Sequence, residues 1–213
     1  AIGTFGPVMM GGYGQTEASP LITQTRTDDS FERKVNTVGA VHPQLEIKVV
    51  DPVTHETLPR GEAGEFCTKG YSVMLGYWNQ PEKTDEVLVD GWMHTGDIAV
   101  MDADGYVQIT GRIKDMVIRG GENIYPREIE EFLYTHPDVL DAQVIGVPDD
   151  KYGEELCAWV RMRDGAEPLT PESLREYATG RLAHYKIPRY VRVVDEFPMT
   201  VTGKVRKVEM RQV

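Results

Sequence analysis

The periodicity of apolar residues changes near Lys114, and this change constrains the fold more than any other feature of the chain. Before it, short apolar runs such as Leu45–Val50 end at proline or glycine, a pattern that predicts strands joined by turns. After it, strand-like runs alternate with segments of helical periodicity. We therefore predict an α+β chain, with a β-rich part over residues 1–113 and a small α+β domain with a central sheet over residues 114–213.

A hairpin is the clearest element of the first part. Ile98–Met101 and Tyr106–Thr110 flank Asp102–Gly105, whose Asp and Gly residues are typical of a tight turn. The same four residues resemble the start of a calcium loop. Position twelve of such a loop would be Ile113, where a bidentate Glu is required, so a plain turn is the preferred interpretation.

The start of the chain is unusual, because Ala1 takes the place of an initiator Met. The short strand predicted at Val8–Met10 has no preceding element with which to pair. We therefore expect the chain to be the carboxyl-terminal portion of a longer protein.

Two helices and three strands are predicted in the second part. Pro126 suits the first position of a helix, and Thr170 followed by Pro171 is typical of a second helix start. The first helix is expected to bury an apolar stripe of Ile129, Phe132 and Leu133, and the second to bury Leu174, Tyr177, Ala178 and Leu182. The strands are predicted at Ala142–Val147, Leu156–Val160 and Tyr190–Val194.

Composition excludes several classes of function. A net charge of −11 argues against a nucleic-acid surface, which needs basic patches. Cys67 and Cys157 form no C-x-x-C pair, so we expect two reduced, buried thiols rather than a disulfide or a zinc site. The histidines lack metal-ligand spacing, and no G-x-S-x-G elbow occurs, which argues against zinc enzymes and hydrolases. No membrane-length apolar stretch or signal peptide is visible, so a soluble, cytoplasmic protein is expected.

Four polar motifs remain as candidates for chemistry. Their glycines allow close backbone approach to a ligand, and hydroxyl, carboxylate and ammonium groups follow those glycines. By itself each motif has a plain alternative: a surface turn, a turn carboxylate, a basic linker or a solvent-exposed lysine. In chain order the motifs are Gly12–Glu17, His94–Asp97, Gly111–Asp115 and Pro198–Lys207.

The order and spacing of these motifs resemble the AMP-forming adenylating superfamily, which includes acyl-CoA synthetases, firefly luciferase and the adenylation domains of peptide synthetases. The resemblance runs from about Pro7 to about Arg211. It implies that residues 1–113 are the carboxyl-terminal part of a large AMP-binding domain and residues 114–213 a small lid domain. It also implies ATP, Mg²⁺ and coenzyme A as cofactors or substrates.

The resemblance assigns a role to individual residues. In the first part it implies that Tyr13 stacks on adenine beside Gly14, Thr16 contacts phosphate, Glu17 holds Mg²⁺, and Asp97 and Arg112 contact ribose. In the second part it implies that Lys114 is the hinge, that Gly120 and Gly121 line a tunnel for the pantetheine arm, and that Lys204 is catalytic. From the residues alone, the glycine pair is more typical of a tight turn than of a tunnel lining, and Lys204 is expected in a flexible loop.

The function implied is that of an acid–CoA ligase, with a medium- or long-chain fatty acid as the preferred substrate. A carboxylate and ATP would give an acyl-adenylate, which coenzyme A would convert to a thioester. Nothing in the chain matches the family's phosphate-binding loop, so we expect the 213-residue chain alone to be inactive or nearly so. The alternatives are a non-catalytic nucleotide-binding or lid module and an adenylation domain acting on an amino acid.

Overall fold

The structure is a computed structural model that describes residues 10–201 and 203–211. The chain forms two compact units, the first ending at Ile113 and the second beginning at Lys114. Val8 and Met9 of the predicted first strand lie outside the described residues, and Met10 is not in a strand. The mixture of strands and helices confirms the predicted α+β class.

The first unit is built from strands with two short helices. Its strands are β1 Gly12–Gly14, β2 Leu21–Gln24, β3 Ala40–Val41, β4 Leu45–Val50, β5 Ala63–Gly70, β6 Leu88–Val89, β7 Trp92–Met101 and β8 Val107–Arg112. Its helices are α1 Phe31–Asn36 and α2 Pro81–Val87. Strands β1–β2–β3 form one sheet, and β4–β5–β7–β6 form a second in which β8 pairs with β7. Every pairing in these two sheets is antiparallel.

The core of the first unit is formed largely by apolar side chains of its strands. Phe66 of β5 and Met93 of β7 are completely buried, together with Ile22 of β2. Each such side chain contributes about 1.5–3 kcal/mol relative to an exposed one. These residues fix one face of the long strands β5 and β7 against the unit's interior.

The predicted hairpin is confirmed as β7–β8. The Asp102 carboxylate accepts hydrogen bonds from the backbone N–H groups of Asp104 and Tyr106, at 2.9 and 2.8 Å. Gly105 adopts a positive φ of 86°, which suits glycine. Asp102 therefore organises a turn, in agreement with the plain-turn interpretation.

The second unit contains one sheet of five strands. Its strands are β9 Val117–Arg119, β10 Glu122–Ile124, β11 Val139–Asp149, β12 Gly153–Met162 and β13 Tyr190–Val193, and its helices are α3 Pro126–Leu133, α4 Pro171–Ala178 and α5 Lys207–Met210. Four of the strands follow the order β10–β9–β12–β11. The fifth, β13, is not part of this order and pairs with β12 in parallel.

Both faces of this sheet are covered. Alternate residues of β12, such as Leu156 and Ala158, pack in a core with Ile129 and Leu133 of α3 and with Leu174 of α4. The residues between them belong to a second cluster, which consists of Ile145, Cys157, Trp159, Phe197 and Met210. The carboxyl-terminal segment is thus held by apolar packing on the face opposite the two helices.

Both predicted helix starts are confirmed. Pro126 and Pro171 open α3 and α4, and Thr170 forms a capping box with Ser173. The prediction was wrong about the far end of the second helix, because α4 ends at Ala178 and Leu182 lies beyond it. Gly180 follows with a φ of 75°, a conformation that terminates helices.

Burial of two predicted core residues is also only partial. Phe132 and Tyr177 are partly buried, and their rings pack against each other with centroids 5.4 Å apart. Both aromatic side chains therefore remain partly exposed to solvent.

Candidate functional site

Strand β7 carries a bulge at the residues of the second polar motif. Glu65 of β5 pairs with Ile98, and Cys67 pairs with His94, so three residues of β7 lie opposite Phe66 alone. The middle one, Gly96, has a φ of 70°. Bulges bend a strand and redirect its side chains, and they occur often beside functional sites.

Asp97, at the end of the bulge, is the centre of a polar network. We call Tyr13, Gln15, Asp97 and Arg112 the Asp97 cluster. Asp97 is only 4% exposed, and its Oδ2 accepts from the Tyr13 hydroxyl at 2.5 Å and from Gln15 Nε2 at 3.1 Å. Its Oδ1 pairs with Arg112 Nε at 2.9 Å. The structure therefore brings together three residues that the sequence analysis singled out in three separate motifs.

Strand pairing explains why Arg112 reaches this carboxylate. Asp97 and Arg112 are direct partners across β7 and β8. Arg112 keeps 52% of its side chain exposed, so its guanidinium connects the buried carboxylate with solvent. Asp97 itself lies within β7.

Gln15 is a member of the cluster to which the sequence analysis gave no role. Its amide Nε2 donates to the Tyr13 hydroxyl at 2.9 Å and to the backbone carbonyl of Thr95 at 3.0 Å, as well as to Asp97. It thereby links the first motif to the bulge. Its position two residues after Tyr13 was the only available signal.

The environment of Tyr13 keeps its hydroxyl protonated. Burial raises the pKa of Tyr13 well above its usual range, and the hydrogen bond to the Asp97 carboxylate and its charge add to the effect. The ring packs edge-on against Phe66, with centroids 5.5 Å apart. The hydroxyl is therefore a fixed donor to Asp97.

Glu17 and Thr16, the last two residues of the first motif, lie in a short 3₁₀ helix, Thr16–Ala18. The Tyr77 hydroxyl donates to Glu17 Oε1 at 2.9 Å, and the Met74 N–H donates to the Glu17 carbonyl at 2.8 Å. Thr16 is exposed. A carboxylate held in this way has the hard oxygen chemistry that Mg²⁺ prefers.

Glu65, Cys67 and His94 form a second buried cluster, in which one ligand atom from each lies within 4.8 Å of the others. Such a set could hold a metal ion. Its polar atoms nevertheless have protein partners: Glu65 Oε2 lies 2.7 Å from His94 Nδ1, Glu65 Oε1 accepts from the Gly96 N–H at 3.1 Å, and Cys67 Sγ donates to the Glu65 carbonyl at 3.9 Å. Hydrogen bonding therefore accounts for this cluster. The sequence analysis missed it because the residues meet only through the pairing of β5 with β7.

Both cysteines are free and buried, as predicted. Burial raises the pKa of the Cys67 thiol to about 12, and the charge of Glu65 contributes in the same direction. Cys67 is consequently a protonated, unreactive thiol at neutral pH.

Gly120 and Gly121 form the two-residue turn between β9 and β10. Their φ angles are 61° and 90°, and Arg119 pairs with Glu122 on either side. Positive φ at both positions is what such hairpin turns require. A side chain at Gly120 would meet the Tyr152 ring at 3.2 Å, whereas the space beside Gly121 is open to 4 Å.

Lys204, which is predicted in a flexible loop, lies in a turn that backbone hydrogen bonds close. Met199 and Val205 form a β-bridge, and the Thr200 N–H donates to the Lys204 carbonyl at 2.7 Å. The Lys204 N–H donates to Thr200 Oγ1 at 3.0 Å. The Lys204 side chain is exposed. Residue 202 of this turn lies outside the described residues.

The chain beyond Lys204 is anchored by an ion pair. Lys207 Nζ lies 2.6 Å from Glu130 Oε1 of α3 and donates to the Val144 carbonyl at 3.2 Å. The predicted hinge, Lys114, is exposed and lies in the 3₁₀ turn Ile113–Asp115, as the first residue of the second unit.

Two family models match the chain. Residues 2–78 match the family described as "AMP-binding enzyme", and residues 128–204 match "AMP-binding enzyme C-terminal domain". Among curated proteins, the chain is 57% identical over 94% of its length to "Putative acyl-CoA synthetase YngI" of Bacillus subtilis (strain 168), covering 36% of that relative. It is 52% identical over 96% of its length to "Medium-chain acyl-CoA ligase ACSF2, mitochondrial" of Danio rerio, covering 34% of it. The chain thus spans about a third of the length of these relatives.

Solved structures share this fold. ATP-bound MatB from Rhodopseudomonas palustris superposes with a TM-score of 0.89 at 39% identity, over 96% of this chain and 40% of that one. The amide bond synthetase McbA from Marinactinospora thermotolerans gives a TM-score of 0.87 at 40% identity, over 98% and 42% of the two chains.

Proposed function

The chain belongs to the AMP-forming adenylating superfamily, and from this premise we propose that it is the carboxyl-terminal part of an ATP-dependent acid–CoA ligase. The observation that carries the proposal is the Asp97 cluster. A buried carboxylate of one motif is held there by residues from two other motifs, in a chain whose curated relatives are named acyl-CoA synthetase and acyl-CoA ligase.

The proposed roles within the first unit follow from the groups present. Asp97 and Arg112 bind the ribose hydroxyls, since a carboxylate accepts and a guanidinium donates. The Tyr13 ring packs on adenine, the Gly14 backbone approaches the nucleotide and Thr16 donates to phosphate. Glu17 would hold Mg²⁺, which neutralises phosphate charge when bound.

In the second unit, Lys204 is proposed to act in adenylation. Two anions, the acid and ATP, must approach each other before a bond forms, and an exposed ammonium can bridge the attacking carboxylate and the α-phosphate. The Gly120–Gly121 turn is proposed to lie along the pantetheine arm of coenzyme A. Lys114 is proposed as the hinge about which the second unit turns between adenylation and thioester formation. The division into a large-domain part and a lid belongs to the same proposal.

The proposed substrate is a medium- or long-chain fatty acid. Support comes from relatives named medium-chain acyl-CoA ligases in Danio rerio and Bos taurus, at 52% and 47% identity. A cytoplasmic location stays a prediction, and these relatives are named mitochondrial. Within the described residues, no helix has the length and apolarity needed to cross a membrane.

A second candidate differs only in the nucleophile. The likeness to the amide bond synthetase McbA favours transfer of the acyl group from the adenylate to an amine. The first step, attack of a carboxylate on ATP with release of pyrophosphate, would be unchanged.

The test is ATP–pyrophosphate exchange by the full-length protein that contains this chain, with fatty, aryl and amino acids offered separately. We expect exchange with fatty acids and its loss in Lys204→Ala. Product analysis with coenzyme A or an amine then separates the two candidates. Exchange dependent only on amino acids would favour the peptide-synthetase alternative, and no exchange with any acid would favour a non-catalytic binding module.

A further inference from the structure

We propose that Glu65 is a positioning residue that holds the bulge of β7 and so aims Asp97 at the nucleotide, an inference that rests on the proposed function. Glu65 belongs to none of the four motifs. It lies on β5, directly beside the residue that the bulge faces.

The bulge needs side chains to satisfy its backbone. Because three residues of β7 face Phe66 alone, the regular ladder between β5 and β7 is interrupted there. The Gly96 N–H donates to Glu65 Oε1 at 3.1 Å. Thr95 Oγ1 donates to the Phe66 carbonyl at 2.6 Å and accepts from the Asp97 N–H at 3.1 Å. Two side chains thus replace the missing ladder bonds.

The second oxygen of Glu65 fixes the start of the bulge. Glu65 Oε2 lies 2.7 Å from His94 Nδ1, within hydrogen-bond distance. The Glu65 carboxylate therefore bridges His94 and Gly96, one on each side of Thr95. Bonds of this charged kind are stronger than neutral ones.

Burial makes this arrangement rigid. Glu65 is 6% exposed and the His94 side chain 9% exposed, so neither group can exchange its partner for water without cost. Asp97 follows Gly96 immediately, and its position relative to Tyr13 depends on the backbone of the bulge. The carboxylate of Glu65 thereby acts on the nucleotide only through Asp97.

A double-mutant cycle with Asp97 distinguishes a positioning role of Glu65 from a general contribution of Glu65 to core packing. If Glu65 acts through Asp97, its removal costs nucleotide affinity only while Asp97 is present. A general loss of packing would add to the effect of Asp97→Ala. The two roles therefore predict different values for the double variant.

The experiment measures the KM for ATP and the kcat of pyrophosphate exchange in the full-length protein. We expect Glu65→Ala to raise the KM for ATP about tenfold or more, with a smaller change in kcat. Glu65→Gln keeps an acceptor for the Gly96 N–H, and its effect should stay below about threefold. Glu65→Ala/Asp97→Ala should be no worse than Asp97→Ala alone. Asp102→Asn is the control, since it alters a carboxylate that accepts two backbone N–H groups in the turn that follows β7.

A second readout needs no nucleotide. Hydrogen–deuterium exchange of the peptide that contains residues 94–97 should be faster in Glu65→Ala than in the wild type or in Asp102→Asn. Unchanged exchange of this peptide overturns the inference, as does a KM effect of Glu65→Ala that adds fully to that of Asp97→Ala. If the wild type shows no pyrophosphate exchange, or Asp97→Ala keeps the wild-type KM for ATP, the proposed function fails, while the hydrogen-exchange result still decides the role of Glu65.

Discussion

At the level of single residues, the Asp97 carboxylate is contacted by three side chains of its cluster. Oδ2 is shared by Tyr13 and Gln15, and Oδ1 is paired with Arg112. A carboxylate offers about four lone-pair sites, so ribose hydroxyls must use the remaining site or displace one of these donors. Exposed Arg112 is the donor that can move at least cost, since solvent can take its place.

Substitution of Tyr13 separates the role of its ring from that of its hydroxyl. Tyr13→Phe removes the hydroxyl, and with it the bond donated to Asp97 and the bond accepted from Gln15, while Asp97 Oδ2 still accepts from Gln15. We expect its KM for ATP in pyrophosphate exchange to rise by no more than about fivefold, because a net hydrogen-bond contribution of about 1 kcal/mol corresponds to that factor. Tyr13→Ala also removes the ring and should raise this KM about tenfold or more. Equal effects of the two variants would contradict a role for the ring.

Among the elements, the bulged strand β7 and the anchored segment after Lys204 matter most for the proposed chemistry. Each is held in place by a side chain of another element. The bulge depends on Glu65 of β5, and α5 depends on Glu130 of α3. Both elements can be tested by variants that disturb one contact at a time.

The backbone of the bulge can be tested at its glycine. Gly96 and Gly105 have φ angles of 70° and 86°, and at both positions a methyl group would meet no atom within 4 Å. Alanine at either position should therefore lower the free energy of unfolding by about 1–2 kcal/mol, through backbone strain alone. Only Gly96→Ala should also raise the KM for ATP.

Urea unfolding and pyrophosphate exchange measure these two quantities. Gly105→Ala is the matched control, because it introduces the same strain in the β7–β8 turn. A similar rise in the KM for ATP in both variants would show that strain anywhere in the hairpin, and not the bulge itself, affects the nucleotide.

The anchor of α5 is tested at Lys207. Its pair with Glu130 is largely buried, with side chains 17% and 13% exposed. Lys207→Ala should lower the free energy of unfolding by about 3 kcal/mol, because it removes the cation beside a largely buried carboxylate, which keeps the hydrogen bond from the Val144 N–H. It should also lower the kcat of pyrophosphate exchange, since Lys207 fixes the chain three residues after Lys204.

The neighbouring pair of Arg206 and Glu209 is the control. Its side chains are 51% and 40% exposed, so Arg206→Ala should lower the free energy of unfolding by no more than about 1 kcal/mol. Urea denaturation followed by circular dichroism measures both variants. Equal destabilisation by the two substitutions would contradict the anchoring role of Lys207.

For the molecule as a whole, the two units divide the proposed work. The first unit holds the Asp97 cluster, and the second holds the Lys204 turn and the Gly120–Gly121 turn. Neither unit contains a match to the phosphate-binding loop of the superfamily. The chain also spans only about a third of its curated relatives.

Activity should therefore depend on more than these residues. We expect the purified 213-residue chain to show less than about 1% of the pyrophosphate exchange of the full-length protein, because charge stabilisation at the α-phosphate is missing a major component. The two proteins are compared at equal concentration with the same fatty acid. Comparable turnover by the chain alone would contradict the assignment of the phosphate loop to another segment.

Local sequence signals were sufficient to predict the helix starts at Pro126 and Pro171 and the β7–β8 turn. The capping residue Thr170, the prolines at 126 and 171 and the turn at Asp102–Gly105 act over a few neighbouring residues, so their signals are local and legible. The end of α4 was misjudged because Leu182 continues the apolar period after the helix has stopped.

The contacts within and around the Asp97 cluster could not be predicted from the sequence and are visible only in the folded chain. Gln15, Glu65 and Thr95 gain their roles from the pairing register of β5 with β7 and from the contact of the first motif with that bulge. A bulge changes which residues face each other by shifting register between strands that lie about thirty residues apart in the chain. No pattern within one strand contains that information, because register is a property of two strands packed together.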